Sequence, residues 1–204
     1  MSLLYKSLPS EVLLPLVKAG PWLPSPTIIR REQFGDLLNL RGLRGPAVEI
    51  GTHLGQFAEK ILERWEGGPL WCVDPWQQNM PDYHDCVNER DRAADYREAM
   101  GRLERFGDRA KVLRTTSRQA AALFPAASLD FVYIDGNHDR KYLHQDIFEL
   151  WHPRLRVGGV LAGHDLDGYW AEHTQPCIRE LVQKTAEPVF FVTGDAASWY
   201  QVKR

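Results

Sequence analysis

Residues 47–55, with the sequence AVEIGTHLG, constrain the fold of this chain more than any other stretch. A short, mostly apolar run carries the acidic Glu49 near its end. A turn that contains glycines follows, and a helix begins near Gln56. Glycines let a backbone approach a ligand closely, and a helix N-terminus offers unpaired N–H groups. The pattern therefore predicts a ligand-binding strand, turn and helix, although the same residues are also a simple way to end a buried strand.

The spacing of the glycines narrows the class of ligand. A dinucleotide-binding turn needs G-x-G-x-x-G, but counting from Gly51 the second and third glycine positions hold His53 and Gln56. This disfavours a nicotinamide-dependent oxidoreductase. A carboxylate at Glu49 would repel phosphate and suit a ligand with positive charge. S-adenosylmethionine, with its sulfonium and amino groups, is such a ligand.

Composition excludes several classes of protein. With 204 residues and 44% apolar content the chain can build one full core, and its net charge of −2 gives no electrostatic footprint for nucleic acid. No apolar run approaches the roughly 20 residues that span a bilayer. The chain has three cysteines: Cys72, Cys86 and Cys177. Their odd number and the absence of a C-x-x-C pair argue against a structural zinc site and a disulfide framework, and favour a protein of the reducing cytoplasm.

Five β-then-α units and a terminal hairpin follow from the hydrophobic pattern. The predicted strands are 47–50, 70–73, 111–113, 129–134, 160–162, 188–193 and 198–202. The predicted helices are 32–40, 56–65, 93–106, 118–123, 141–151 and 174–184. The last two strands are joined only by Gly194-Asp195, so they must be antiparallel. The sheet is therefore expected to be mostly parallel and covered by helices.

Residues 1–45 are predicted to form a helical arm before a main domain at 46–204. Ser10 caps a short helix in this interpretation, and the prolines at 21, 24 and 26 force an extended passage. The arm could pack on the sheet edge or cap an acceptor pocket. The long polar loop at 77–90 is typical of a lid, and the adjacent residues 84–86 (His-Asp-Cys) are poorly placed to converge on one metal ion.

Polar residues end every predicted parallel strand, where ligands bind in open α/β sheets. They are Glu49, Asp74, Ser117, Asp135 and the pair His164-Asp165. Asp74 can accept hydrogen bonds from ribose hydroxyls, or it can cap a turn before Pro75. Ser117 can cap the following helix or contact an adenine. A full row of such residues predicts a binding site.

Asp135, His164 and Asp165 form a candidate metal site. Two carboxylates and one imidazole can surround a divalent ion, with the carboxylates favouring magnesium and the imidazole favouring manganese, iron or zinc. Asp135 could instead form a turn before Gly136, and His164 could donate to a backbone carbonyl. His138 would lie at the mouth of the same site and could take a proton from a hydroxyl, or it could be a solvent-exposed loop histidine.

Four motifs resemble those of a known family. They are V-E-I-G-T-H-x-G, C-V-D-P-W, I-D-G-N-H-D and W-x-P-x-L-x-x-G-G-V-L-A-G-H-D, and together with the closing hairpin they cover about residues 47–202. They resemble class I S-adenosylmethionine-dependent methyltransferases. The similarity is greatest to the small bacterial group of macrolide-sugar and aminocoumarin O-methyltransferases, which includes a cephalosporin-hydroxylase homologue; catechol-type O-methyltransferases are more distant.

This resemblance implies a Rossmann-like three-layer sandwich with a seven-stranded, mostly parallel sheet and an antiparallel last strand. By resemblance, Asp135, His164 and Asp165 would hold magnesium and His138 would be the base, with Asp135 also beside the cofactor. His164 departs from the acidic or equivalent oxygen ligand that is usual there. The residues expected by resemblance to line the methionine moiety, the ribose and the adenine are Glu49, Gly51, His53, Gly55, Asp74, Trp76, Ser117 and Arg118.

The sequence thus predicts an S-adenosylmethionine-dependent methyltransferase acting on the hydroxyl of a small molecule, with assistance from a divalent metal left open. Its expected partner is that acceptor, not nucleic acid or a membrane, and a homo-oligomer is left open. Two rivals remain. One is a metal-dependent hydrolase or hydroxylase using Asp135, His138, His164 and Asp165, and the other is a non-catalytic cofactor-binding protein.

Overall fold

The computed structural model describes residues 16–78, 80, 91–194 and 196–204. Three predictions therefore fall wholly or partly outside the described residues. They are the helix capped by Ser10, most of the loop at 77–90 with its His-Asp-Cys triplet, and Asp195 in the turn of the terminal hairpin. Within the described ranges, no helix is long and apolar enough to cross a membrane.

One eight-stranded sheet forms the centre of the molecule. Its strands are β1 (Trp22–Pro24), β2 (Ala47–Ile50), β3 (Leu70–Asp74), β4 (Ala110–Arg114), β5 (Leu129–Ile134), β6 (Leu155–Gly163), β7 (Val189–Val192) and β8 (Ser198–Val202). Their order across the sheet is β1-β7-β8-β6-β5-β2-β3-β4. All neighbouring pairs are parallel except those of β8, which runs antiparallel to both β6 and β7.

The predicted fold class is confirmed, with one strand more than the seven expected. The additional strand is β1, which pairs with β7 from Trp22 opposite Val189 to Pro24 opposite Phe191. A proline has no N–H to donate, so a strand that contains one is tolerated at a sheet edge, which is where β1 lies. The proline-rich passage thus does form a strand, but only three residues of it.

The helices that lie wholly within the described residues and cover the sheet are α1 (Phe34–Leu40), α2 (Gln56–Arg64), α3 (Arg92–Leu103), α4 (Ser117–Ala121), α5 (Arg140–Gln145) and α6 (Ala171–Thr185). Helix α5 continues as a π-helical turn, Asp146–Trp151, where the sequence predicted one uniform helix. The prediction that Ser117 caps its helix is wrong. Thr116 is the N-cap of α4, and its hydroxyl accepts the backbone N–H of Gln119.

Two apolar layers, one on each face of the sheet, complete a three-layer sandwich. Side chains of α1 and α2 pack on one face with β5 residues such as Phe131, and side chains of α5 and α6 pack on the other with Val132. Successive side chains of a strand point to opposite faces of the sheet. Val48 and Ile50 therefore pack with α5 and α6, and Ala47 packs with α1 and α2. The side chain of Glu49 points to the same face as that of Ala47. This alternation decides where the acidic side chain of β2 points.

Candidate functional site

A cavity of about 280 Å³ lies beyond the carboxyl ends of β2, β3 and β4. Four of the residues predicted from sequence line it: Gly51, Asp74, Ser117 and Arg118. The cavity also reaches the segment after β5 and the start of the π-helical turn. Parallel strands end at one edge of a sheet, so residues far apart in the sequence meet there.

Asp74 is almost completely engaged by protein donors. Its Oδ1 accepts the backbone N–H of Trp76 at 2.7 Å and Nη2 of Arg92 at 3.1 Å, and its Oδ2 accepts the backbone N–H of His53 at 3.0 Å. The residue is 5% exposed. A carboxylate offers about four acceptor positions, so Oδ2 retains one for a ligand hydroxyl. Arg92 was missed from the sequence because nothing in the local pattern links the start of α3 to β3.

The turn after β2 is shaped by contacts within the protein. Gly51 has φ +86°, and a Cβ there would lie 1.8 Å from the carbonyl oxygen of Asp135, so only glycine fits. Gly55 is the left-handed N-cap of α2. The carbonyl oxygen of His53 accepts Nε1 of Trp76 at 2.8 Å, and Trp76 is buried. His53, Gly55 and Trp76 thus fix the turn and do not line the cavity.

Glu49 lies on the opposite face of β2 from the cavity, and it is 2% exposed. The pKa of its carboxyl is raised to about 8, chiefly by burial and also by the nearby carboxylates of Asp135 and Asp74, against the lowering effects of a hydrogen bond with Thr52 and the charge of Arg31. Its Oε2 has no hydrogen-bond partner among the described residues. The carboxyl therefore stays protonated at neutral pH unless a cation approaches it.

Asp135, His138 and Asp165 form a compact cluster beside the cavity. Nε2 of His138 lies 2.8 Å from Oδ2 of Asp165 and 3.3 Å from Oδ1 of Asp135, and one ligand atom from each of the three residues falls within 4.8 Å of the others. Burial tends to raise the pKa of Asp165, but hydrogen bonds with His138 and His164 lower it well below its ordinary value. An ionised Asp165 can only accept, so Nε2 of His138 carries a proton in this arrangement.

His164 is turned partly away from that cluster. Nη1 of Arg31 lies 2.8 Å from its Nε2, and a guanidinium can only donate, so Nε2 accepts. The Nδ1 proton then faces Asp165 at 3.4 Å and Asp135 at 3.6 Å. Burial lowers the pKa of His164 and the two aspartates raise it more, but a doubly protonated ring would have no lone pair for Arg31.

The compact set of possible metal ligands therefore differs from the predicted one. It contains His138 in place of His164, alongside Asp135 and Asp165. Two carboxylates and an imidazole suit a divalent cation, with water or substrate completing its coordination. The guanidinium of Arg31, 4.0 Å from Oδ2 of Asp135, already supplies positive charge next to this set.

Arg31 is a site residue that the sequence did not reveal. It belongs to a 3-10 turn, Arg31–Gln33, in the N-terminal arm, and its guanidinium lies over the ring of Phe57 at 5.2 Å. An arginine beside another arginine in a polar stretch carries no signal of its own. Only the folding of the arm across the sheet brings it to the strand ends.

Two residues of the segment after β6 contact His138, one at its ring and one at its backbone. The ring stacks on Trp170 with 5.4 Å between centroids and an interplanar angle of 20°, and Nδ1 of His173 lies 3.0 Å from the His138 carbonyl oxygen. Neither contact was expected from the sequence. The arrangement combines a nucleotide-sized cavity with an adjoining group of acid–base side chains.

Comparison with known proteins identifies a family of domains and several solved structures with a similar fold. A family model described as a methyltransferase domain matches residues 48–166, more than half of the chain. No curated protein sequence matches. A candidate caffeoyl-CoA O-methyltransferase from Staphylococcus aureus has a TM-score of 0.62 at 13% identity, covering 98% of this chain and 96% of that one.

Two further solved structures have similar folds. An O-methyltransferase from Bacillus cereus in complex with SAH gives a TM-score of 0.59 at 16% identity, covering 97% of this chain and 94% of that one. The O-methyltransferase NovP gives a TM-score of 0.61 at 15% identity, and the match covers 85% of this chain and 77% of that one. At these identities the structures show that the fold is shared.

Proposed function

This chain belongs to the methyltransferase-domain family, and from that premise we propose that it moves the sulfonium methyl group of S-adenosylmethionine to a hydroxyl oxygen of a small molecule. The reaction is an in-line displacement at carbon: the C–O bond forms as the C–S bond breaks, and S-adenosylhomocysteine leaves. The protein has little covalent work to do, so positioning dominates the rate.

One observation carries this proposal: the cavity and the acid–base cluster share a loop. Gly136 and Asn137 line the cavity, and they lie between Asp135 and His138 of the cluster. A methyl donor in the cavity would therefore have a proton-accepting group beside it. In this assignment Oδ2 of Asp74 accepts a ribose hydroxyl, with Ser117 and Arg118 towards the adenine.

The cluster is where the acceptor hydroxyl would lose its proton. Nε2 of His138 already carries the proton that faces Asp165, so a neutral imidazole would take up the new proton at Nδ1, with Trp170 stacked on the ring and His173 on the His138 carbonyl oxygen. If Asp135, His138 and Asp165 held a divalent cation instead, Nε2 of His138 would give up its proton to become a ligand, and the cation would lower the pKa of the hydroxyl. The expected partner is a small-molecule acceptor in the cytoplasm, with no nucleic acid or membrane.

Thermal unfolding with S-adenosylhomocysteine tests the cofactor. Ligand at about 100 times its dissociation constant should stabilise the protein by about 2.7 kcal/mol, a shift of roughly 5–10 °C for a chain of this size. Parallel samples with magnesium, manganese or a chelator test the metal. Methyl transfer to a panel of hydroxyl compounds tests the reaction, and no shift at millimolar ligand would contradict the proposal.

A metal-dependent hydrolase or hydroxylase is the second candidate, because the Asp135, His138 and Asp165 cluster could hold a metal without any methyl donor. Metal-dependent turnover with no requirement for S-adenosylmethionine would favour it. A protein that binds S-adenosylhomocysteine tightly but methylates nothing across a broad panel would instead be a non-catalytic cofactor-binding protein.

A further inference from the structure

Asp146 is a buried acidic residue on the wall of the cavity that neither the sequence patterns nor the proposed reaction uses. It is 5% exposed and begins the π-helical turn after α5. Within the described part of the chain, its side chain has one hydrogen bond, between its Oδ1 and Oγ of Ser117 at 2.5 Å. Burial raises the pKa of Asp146 to about 7, although Ser117 and Arg118 lower it.

The hydroxyl of Ser117 is not available to donate to a ligand. Nε1 of Trp151 lies 2.9 Å from Ser117 Oγ, and an indole N–H can only donate. Ser117 therefore accepts from Trp151 and directs its own proton to Asp146. The carboxylate of Asp146 is thus oriented by Ser117, and it replaces the hydroxyl as the polar group that can contact a base.

The π-helical turn is what makes this arrangement possible. In an α-helix, with about 3.6 residues per turn, side chains five apart point about 140° away from each other. Here Asp146 and Trp151, five residues apart, both contact Ser117 because the intervening backbone is π-helical. Such turns are rare and occur frequently at functional sites.

The free oxygen of Asp146 selects for a donor group. Its Oδ1 is taken by Ser117, so Oδ2 is the atom left for whatever fills the cavity. The donors of a neutral nucleoside are its ribose hydroxyls and, for adenosine, the exocyclic amine. Asp74, across the cavity at the end of β3, suits the ribose. The amine remains for Asp146.

We propose that Oδ2 of Asp146 accepts a hydrogen bond from the exocyclic amino group of the cofactor's adenine and so makes the site specific for adenine. The proposal rests on the proposed function, because it takes the ligand to be S-adenosylmethionine. A purine with a carbonyl oxygen in place of the amine would put two acceptors face to face and be rejected.

Calorimetric titration with two probes tests this. One probe is S-adenosylhomocysteine, and the other is its analogue with an unsubstituted purine, which lacks only the amino group. Leaving a buried acceptor without its donor supports about tenfold discrimination, so wild-type protein should bind the analogue about tenfold more weakly. Asp146→Ala should bind both probes with similar affinity. Asp146→Val, which fills the space that alanine would leave empty, should do the same if the alanine variant folds poorly.

Glu149→Gln is the matched control, because Glu149 is an exposed acid on the same π-helical turn. It should discriminate as the wild type does. Equal binding of the two probes by wild-type protein, or unchanged discrimination in the Asp146 variants, would overturn the assignment while leaving the proposed function intact. Failure of wild-type protein to bind S-adenosylhomocysteine at all would overturn both.

Discussion

At the scale of single residues, the carboxyl ends of the strands concentrate acidic groups that burial makes costly to ionise. Glu49 and Asp146 are both buried, and burial raises the pKa of each carboxyl well above its ordinary value. Neither carboxyl forms an ion pair among the described residues. Groups held in this way weaken the folded state at high pH, and such a cost is expected where a binding site needs it.

Glu49→Gln should change how stability depends on pH. The pKa of Glu49 is about 8 in the folded protein and 4.5 in its ordinary, unfolded environment. Between these two pH values the folded protein therefore holds a proton on Glu49 that the unfolded chain has lost. Its contribution to stability is complete below about pH 4.5 and is lost as the pH rises through 8. The loss is up to roughly 5 kcal/mol by the pKa difference.

Glutamine needs no proton, so the variant should gain stability relative to wild type between pH 6 and 8.5. Thermal unfolding of both proteins at the two pH values measures this. Glu149→Gln, at an exposed position, should keep the wild-type dependence on pH. Parallel pH profiles for Glu49→Gln and wild type would show that Glu49 is ionised in the folded protein.

At the scale of secondary-structure elements, the short helix α4 depends on its cap. It has only five residues, Ser117–Ala121, and isolated turns of this length are unstable without tertiary contacts. Thr116 and Gln119 form a capping box in which each side chain contacts the other's backbone N–H. Ser117 and Arg118 on this helix line the cavity, so the cap also positions part of the candidate site.

Thr116→Ala should lower the melting temperature and weaken binding of S-adenosylhomocysteine. Loss of an N-cap costs about 1 kcal/mol, which corresponds to about 2–4 °C for a chain of this size. Thr116→Ser keeps the hydroxyl and should behave like wild type in both thermal unfolding and calorimetric titration. If the alanine variant matched the serine variant, the cap would have no energetic role.

The elements also show the limit of pattern analysis. Leu143, Ile147, Leu150 and Trp151 recur at spacings of four, seven and eight, so they predict one continuous α-helix. The structure has a π-helical turn over half of it. A π-helical turn preserves the burial of these apolar side chains while rotating the polar Asp146 towards Ser117. Hydrophobic periodicity reports only the apolar face, so it could not reveal the turn.

At the scale of the whole molecule, the N-terminal arm joins the far edge of the sheet to its centre. Strand β1 pairs with β7 at the edge, and seven residues after Pro24 the side chain of Arg31 reaches His164 and Asp135. The arm is fixed on the way, since Oγ of Ser25 lies 2.8 Å from the hydroxyl of Tyr200. Part of the arm thus contributes charge to the candidate site.

Arg31→Met should increase the affinity of the Asp135, His138 and Asp165 cluster for Mn²⁺. A fixed cation about 4 Å from a carboxylate opposes binding of a second cation by Coulomb repulsion, so removing it should tighten binding several-fold. Titration calorimetry with MnCl₂ measures the change. Arg30→Met removes the same charge from an exposed neighbouring position and should have little effect. Equal or weaker Mn²⁺ binding by Arg31→Met would contradict this model of the cluster.

The order of the β-then-α units, the antiparallel end of the sheet and the row of polar residues at the strand ends could all be predicted from the sequence. These are local properties, because hydrophobic period and position at the end of a strand are written in neighbouring residues. Which of those residues face the cavity depends on the packing of the whole chain: Asp74 lines it, and Glu49 lies on the other face of its strand.

Tertiary structure alone also brought in residues with no local signal. Arg31 meets His164 across 133 positions of sequence, and Asp146 meets Ser117 across 29. It also grouped His138 in place of His164 with the two aspartates. Side-chain direction and long-range approach depend on the packing of the whole chain, so no stretch of sequence encodes them separately.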